Sequence, residues 1–361
     1  MAQHILRELM KSIKWTLSAA SQSSSSWTKE WDLLNDRAGA LPFLASDVIL
    51  AALKHFGTGK ELLAVGSCAG ESVAMALLTR KNAITWESFQ PSQLPLGAYL
   101  QLPGWRVDAA ASTLLLALPK PALLLGLTQL DPAWLERPQE SATTAVLDYI
   151  ETAWVNVSGS FDDYWSARGK NLRQNMRKQR NKLEAEGVTP RLEILTAPDS
   201  ISGAIIDYGR LESAGWKAEI GTAVQLDNAQ GRFYREILES ACQRGEGMVY
   251  RYWFGEKVVA VDLCVQHRNA LVILKTTYDE NYKAVSPAFL MREESFRKLF
   301  EDGSIKRIEF FGKMMEWHTR WTEHSRRLYH LTHYRWSWLR YLKDKIQRGP
   351  ASPITESDTP P

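Results

Sequence analysis

TTYDENYKAVSPAFLM, residues 276–291, changes its pattern halfway. Thr276, Thr277 and Tyr278 close a β-branched and apolar run with the character of a strand. From Ser286 the spacing predicts a helix over 286–303, stopped by Gly303. Ser286 stands at the N-cap and Pro287 at the first helical position, where its missing N–H costs nothing.

Working outward, apolar runs bounded by turn residues predict strands at 191–195, 247–254, 257–266 and 270–278. Helical spacing predicts helices at 199–214 and 227–244. Ser160 and Asp163 form a capping-box pattern at the head of a long helix, about 161–186, with Trp165, Leu172, Met176 and Leu183 on its apolar side. Downstream come a strand at 306–311, the aromatic-rich segment 312–336 and a last helix from about 336 to 347. An earlier stretch, 61–80, repeats the strand–turn–strand order of 247–268, each with Gly-Glu at the turn (Gly70-Glu71, Gly255-Glu256), which suggests an internal duplication. The expected division is an N-terminal helix and Ser-rich linker (1–28), a first lobe (29–150), a second lobe (151–347) and a disordered tail (348–361).

Composition narrows the function. A net charge of +3 over 361 residues does not mark a nucleic-acid binder. The 3 cysteines (Cys68, Cys242, Cys264) lie far apart, without a CxxC, and give neither a disulfide framework nor a zinc site. The most apolar stretch, 109–127, is broken by Pro119-Lys120-Pro121, so the chain reads as cytoplasmic. At most, residues 1–15 would touch a membrane surface. Four of the 7 histidines (His318, His324, His330, His333) crowd into 312–336. Their spacings do not converge on one point, so no metal is expected there.

Several stretches, taken in order, resemble one family: FDDYWSARGKNLRQNMRKQRNKLEAEG (161–187), ESAGWKAEIGTA (212–223), TTYDENYKAVSPAFLM and FFGKMMEWHTRWT (310–322). Together they resemble the cellulose-biosynthesis type of GNAT acyltransferase, bacterial proteins often encoded with exopolysaccharide genes. The resemblance implies an α/β (α+β) fold of two tandem GNAT-like lobes, each a mixed, mainly antiparallel sheet flanked by helices, with a degenerate first lobe. It implies an acetyl-CoA or other acyl-CoA cosubstrate, an N- or O-linked acceptor that is saccharide-related or otherwise small, and direct attack on the thioester. Two rival readings stay open: a transferase fed by aminoacyl-tRNA, and a lobe without chemistry that serves as scaffold or sensor.

On that resemblance, Val285, Ser286, Pro287, Ala288 and Phe289 form the pyrophosphate loop, with Tyr282 beside it, because a helix start offers free N–H groups to phosphate. The family usually has Gly where Ala288 stands, and alanine resists positive φ. The cosubstrate's arm is expected between the strands 270–278 and 306–311. General-base candidates near that point are Glu309, Glu316, His318 and Asp262, and Tyr278 and Tyr282 are candidate acids. Trp216 and Lys217 are expected at the acceptor entrance. Arg173 and Arg177, in a basic helix run, would meet an anionic acceptor or form a solvated face. Trp317 and Trp321 are expected to face the core, unless one of them walls the pocket.

Overall fold

The structure, a computed structural model, describes residues 13–20, 24–213 and 224–347. The strands are β1 (Lys14–Ala19), β2 (Leu62–Cys68), β3 (Glu71–Arg80), β4 (Thr85–Ser88), β5 (Tyr99–Gln101), β6 (Leu124–Leu130), β7 (Thr144–Asn156), β8 (Pro190–Leu195), β9 (Gly247–Phe254), β10 (Lys257–His267), β11 (Ala270–Tyr278), β12 (Arg307–Glu309) and β13 (Ser325–Tyr334). The helices are α1 (Ser24–Ala38), α2 (Ser46–Phe56), α3 (Val107–Ala117), α4 (Phe161–Ser166), α5 (Lys170–Ala185), α6 (Ile201–Ser213), α7 (Ala229–Gln243), α8 (Pro287–Asp302), α9 (Glu316–Thr319) and α10 (Ser337–Gln347).

The strands join into one mixed sheet in the order β1-β2-β3-β4-β6-β13-β7-β12-β11-β10-β9-β8, with β5 on β3. It is a mixed α/β fold, a large sheet flanked by helices. The junction is β7, whose first part pairs with β13 and whose last residues, Trp154–Asn156, pair with β12. Residue 150, the expected lobe boundary, falls inside this strand. β13 inserts between β6 and β7, among the strands of the first half.

One apolar core runs under both halves on one face, joining Trp31 of α1 and Ile49 of α2 to Tyr208 of α6 and Phe233 of α7. The opposite face of the second half is covered by α5 and α8, through Leu172, Met176, Met291 and Phe296.

Three expectations need correction. The single helix over 161–186 is two, α4 and α5, parted at Ala167–Gly169, and Gly169 is the N-cap of the second. The expected cap is present, since the Asp163 N–H donates to Ser160 Oγ at 3.0 Å. At the other end, the N-terminal segment is extended over Lys14–Ala19, pairing with β2, and a helix begins at Ser24, inside the expected Ser-rich linker. Residues 1–12 and the tail 348–361 lie outside the described residues. Finally, the strand expected over 306–311 is regular only at Arg307–Glu309.

Candidate active site

The short β12 is what opens the site. It runs parallel to β11 only from Ala270 to Val272. Beyond Glu309 the chain stays with β7: the Phe310 N–H donates to the Ala153 carbonyl at 3.1 Å, and the Met314 N–H to the Glu151 carbonyl at 2.7 Å. β11 continues to Tyr278 without it, so the two strands part.

A cavity of about 420 Å³ lies along the end of β11 that β12 leaves unpaired and is lined from both faces of the sheet. Thr276 and Thr277 of β11 sit opposite Asp262 and Val261 of β10 and therefore point to opposite faces. On one face α8 contributes Ser286, Ala288, Phe289 and Arg292, with Trp317 of α9 nearby. On the other, α6 contributes Leu211 and Glu212.

The loop into α8 is built by Ser286, whose φ of 48° is left-handed. Such a conformation in a non-glycine residue costs about 1 kcal/mol or more and is held by its surroundings. Here Gln179 of α5 donates to Ser286 Oγ at 3.2 Å, and the Phe289 and Leu290 N–H groups both donate to the Ser286 carbonyl. Ser286 is the N-cap, yet its side chain makes no capping bond. Pro287 occupies the first helical position. The positive φ thus belongs to Ser286, and Ala288 is helical. A glycine is not required at 288.

Two charged residues that line the cavity were not singled out from the sequence. Glu212 is 4% exposed and lies on the buried stripe of α6 with Ile201, Ala204, Ile205, Tyr208 and Leu211. Gly209 permits its geometry: a Cβ there would stand 2.4 Å from the Val224 carbonyl. That close approach lets the Val224 N–H donate to Glu212 Oε2 at 2.7 Å. The Tyr208 hydroxyl lies 3.3 Å from Glu212 Oε1 and 3.4 Å from the Thr276 carbonyl.

Arg292 is 2% exposed, on the apolar stripe of α8 with Ala288, Met291, Ser295, Phe296 and Leu299. Its Nη2 donates to Asp262 Oδ2 and to Thr276 Oγ1, each at 3.1 Å. Its guanidinium stands 4.6 Å from the Trp317 ring centroid. The available signal was a lone charge at each stripe's core-facing position, which is rare unless the charge is paired or functional.

The expected residues distribute as follows. Ser286, Ala288 and Phe289 line the cavity, and Tyr278 with them. Val285 packs in the core, and Tyr282 lies against Phe254 beneath Lys257, away from the cavity lining. Asp262 meets the cavity only through Arg292. His318 is buried and stacked on Trp317, with ring centroids 3.5 Å apart. Its Nδ1 accepts the Met315 N–H at 2.8 Å, which puts the ring proton on Nε2. Burial, then the Arg292 charge, pushes its pKa down to about 4. At neutral pH it is an uncharged donor, without a free lone pair for a proton.

Glu316 is solvent-facing and bonded to Arg320 at 2.8 Å. Glu309 is buried with Arg326, which also holds Asp131 from the first half of the chain. Burial raises its pKa against the pull of Arg326 and Arg307. Trp321 is core, 0% exposed, while its partner Trp317 walls the cavity. Arg173 and Arg177 are exposed on α5 and outside the cavity lining. Trp216 and Lys217 fall outside the described residues. Among the described residues no group of three or more His, Cys, Asp or Glu could hold a metal ion, and no helix is long and apolar enough to cross a membrane.

Residues 170–319 match the model of the Acetyltransferase (GNAT) domain, and every residue lining the cavity falls within that span. No curated protein matches the chain in sequence. Among solved structures, the C-terminal domain of a candidate lysylphosphatidylglycerol synthetase from Agrobacterium fabrum is similar at TM-score 0.54 and 12% identity, over 86% of this chain and 92% of that one. A conserved protein of unknown function from Bacteroides thetaiotaomicron is similar at TM-score 0.52 and 11% identity, over 85% of this chain and 97% of its own. A tandem GNAT protein of the clavulanic acid pathway aligns at TM-score 0.45 and 10% identity, over 90% and 98%. At these identities the likeness is one of fold. Residues 170–319 thus resemble a GNAT domain, within a fold shared with these structures.

Proposed function

We propose that the chain is an acyl-CoA-dependent N- or O-acyltransferase whose chemistry takes place in the cavity between the diverging β11 and β12. The observation that carries this reading is that the cavity crosses the sheet, from the start of α8 to a buried carboxylate on α6. The donor's residues fit. The start of α8 offers the positive end of a helix dipole to a pyrophosphate, with Lys283 beside it. Past Val272 the β11 edge is free of β12, which leaves room for an extended arm to lie along it.

On this reading the acceptor enters on the α6 side. Glu212 takes the proton from its ammonium or hydroxyl, and the freed lone pair attacks the thioester carbon. The C–S bond breaks, and the departing thiolate takes a proton from Tyr278, whose hydroxyl is kept protonated by burial and the neighbouring Glu280. Arg292 presents positive charge where the carbonyl oxygen becomes an oxyanion. Trp317 walls this end, braced from behind by His318.

The resemblance to the cellulose-biosynthesis type supports two lobes, 29–150 and 151–347, a saccharide-related or other small acceptor, and a cytoplasmic role in exopolysaccharide synthesis. Free thiol is measured while the full chain turns over acetyl-CoA with a panel of amino sugars and other small amines. Acceptor-dependent thiol release, with the acetyl group recovered on the acceptor, is the expected result. Transfer from aminoacyl-tRNA, with none from acyl-CoA, would replace this reading with the rival transferase.

A further inference from the structure

The last helix, α10, is built inside out. A surface helix ordinarily turns its apolar stripe to the core and its charges to water. Here Trp338, Tyr341 and Leu342 are 56%, 70% and 48% exposed. With Lys345 they form the i, i+3, i+4, i+7 stripe that points away from the protein. The charge goes the other way. Arg340 turns inward, bonding Glu140 at 2.9 Å and the Thr144 carbonyl at 2.7 Å, together with the Ser141 carbonyl. Just before the helix, Trp336 is 47% exposed and stacks on Trp338, with centroids 5.9 Å apart and planes within 11°. Lys345 stands exposed within this face, whereas Lys343 lies on the other side of the helix, its ammonium 5.7 Å from the centroid of the buried Tyr334 ring.

We infer that α10 is a docking helix for an anionic lipid bilayer surface, lying in the headgroup plane with Trp336, Trp338, Tyr341 and Leu342 inserted and Lys345 on a lipid phosphate. The composition matches what such a surface selects. Tryptophan and tyrosine rest at the boundary between headgroup and hydrocarbon, because one part of each ring system is apolar and the other carries a polar group. Flanking cations add attraction to anionic headgroups. A second copy of the chain fits less well. A two-fold contact on this face would bring Lys345 of each copy into an apolar interface without an acidic partner in the stripe. The inference stands apart from the acyl-transfer reading, since no α10 residue lines the cavity.

The test is co-sedimentation of the full chain with phosphatidylcholine vesicles, with and without phosphatidylglycerol. The expected result is sedimentation with the phosphatidylglycerol vesicles only, weakened by salt. Trp338→Ser with Tyr341→Ser should lower that affinity at least about tenfold while the circular dichroism spectrum is unchanged. Lys345→Gln should reduce the salt dependence. Wild-type protein that stays in solution with both vesicles would overturn the inference. So would aromatic variants that sediment like wild type, or variants whose only effect is to convert a dimer to a monomer in light scattering.

Discussion

Arg292 and Asp262 face each other across the interface between α8 and the sheet, Nη2 to Oδ2 at 3.1 Å, with both side chains 2% exposed. The pair gives Asp262 a task other than proton transfer: it compensates a buried cation that lines the cavity. Removing one partner leaves the other charge buried and unpaired. Asp262→Asn should therefore destabilise the fold by about 3–5 kcal/mol. Asp262→Asn with Arg292→Met should recover most of that loss, measured by urea denaturation. A single variant as stable as wild type would show that the pair contributes little.

Proton transfer should depend on Glu212 and not on Glu316. Glu212→Gln keeps the shape and both hydrogen-bond positions but cannot take a proton. It should lower kcat by about 10²–10⁴-fold with acyl-CoA affinity intact. Glu316→Gln, at a solvent-facing carboxylate, should leave kcat near wild type. The reverse pattern would move the base to the α9 side of the cavity.

His318 ties stability to pH. Its folded pKa, about 4, lies below the 6.5 of an ordinary histidine, so the unfolded chain binds the proton first. The stabilisation is complete above about pH 7 and is lost as pH falls through 6.5 toward 4. Between pH 7.5 and 5 the loss should be about 2 kcal/mol. His330 and His333 are shifted the same way by burial, so the wild-type slope is a sum. The difference between wild type and His318→Asn isolates one residue. Parallel stability–pH curves for the two would mean that His318 titrates normally.

Much of the second half was legible because its signals are local. The Ser286-Pro287 start and Gly303 stop of α8, and the three strands from 247 to 278, follow from residue type and spacing alone. The break at Ala167–Gly169 was also written locally, by Gly169, but the apolar spacing on either side masked it. β13's place between β6 and β7 was not legible, since pairing across about 200 residues leaves no trace in a local pattern. The four general-base candidates lie outside the cavity lining for a related reason. Asp262, Glu309, Glu316 and His318 were chosen by nearness in sequence to the expected strand ends. Whether a carboxylate faces a cavity, an arginine or water is decided by partners such as Arg292 and Arg326, which come from other elements. Glu212 and Arg292 left a readable sign, a charge on an apolar stripe.

The account rests on acyl-CoA entering this cavity at the start of α8, and calorimetric titration of acetyl-CoA tests that most directly. Wild-type protein should bind one equivalent. Ala288→Asp places a negative charge at the cavity wall in the first turn of α8, where the helix dipole tolerates an acid and the fold is kept. It should weaken binding at least about tenfold through repulsion of the pyrophosphate. Wild-type protein that takes up no acetyl-CoA, or a folded Ala288→Asp variant that binds it as tightly, would contradict the account.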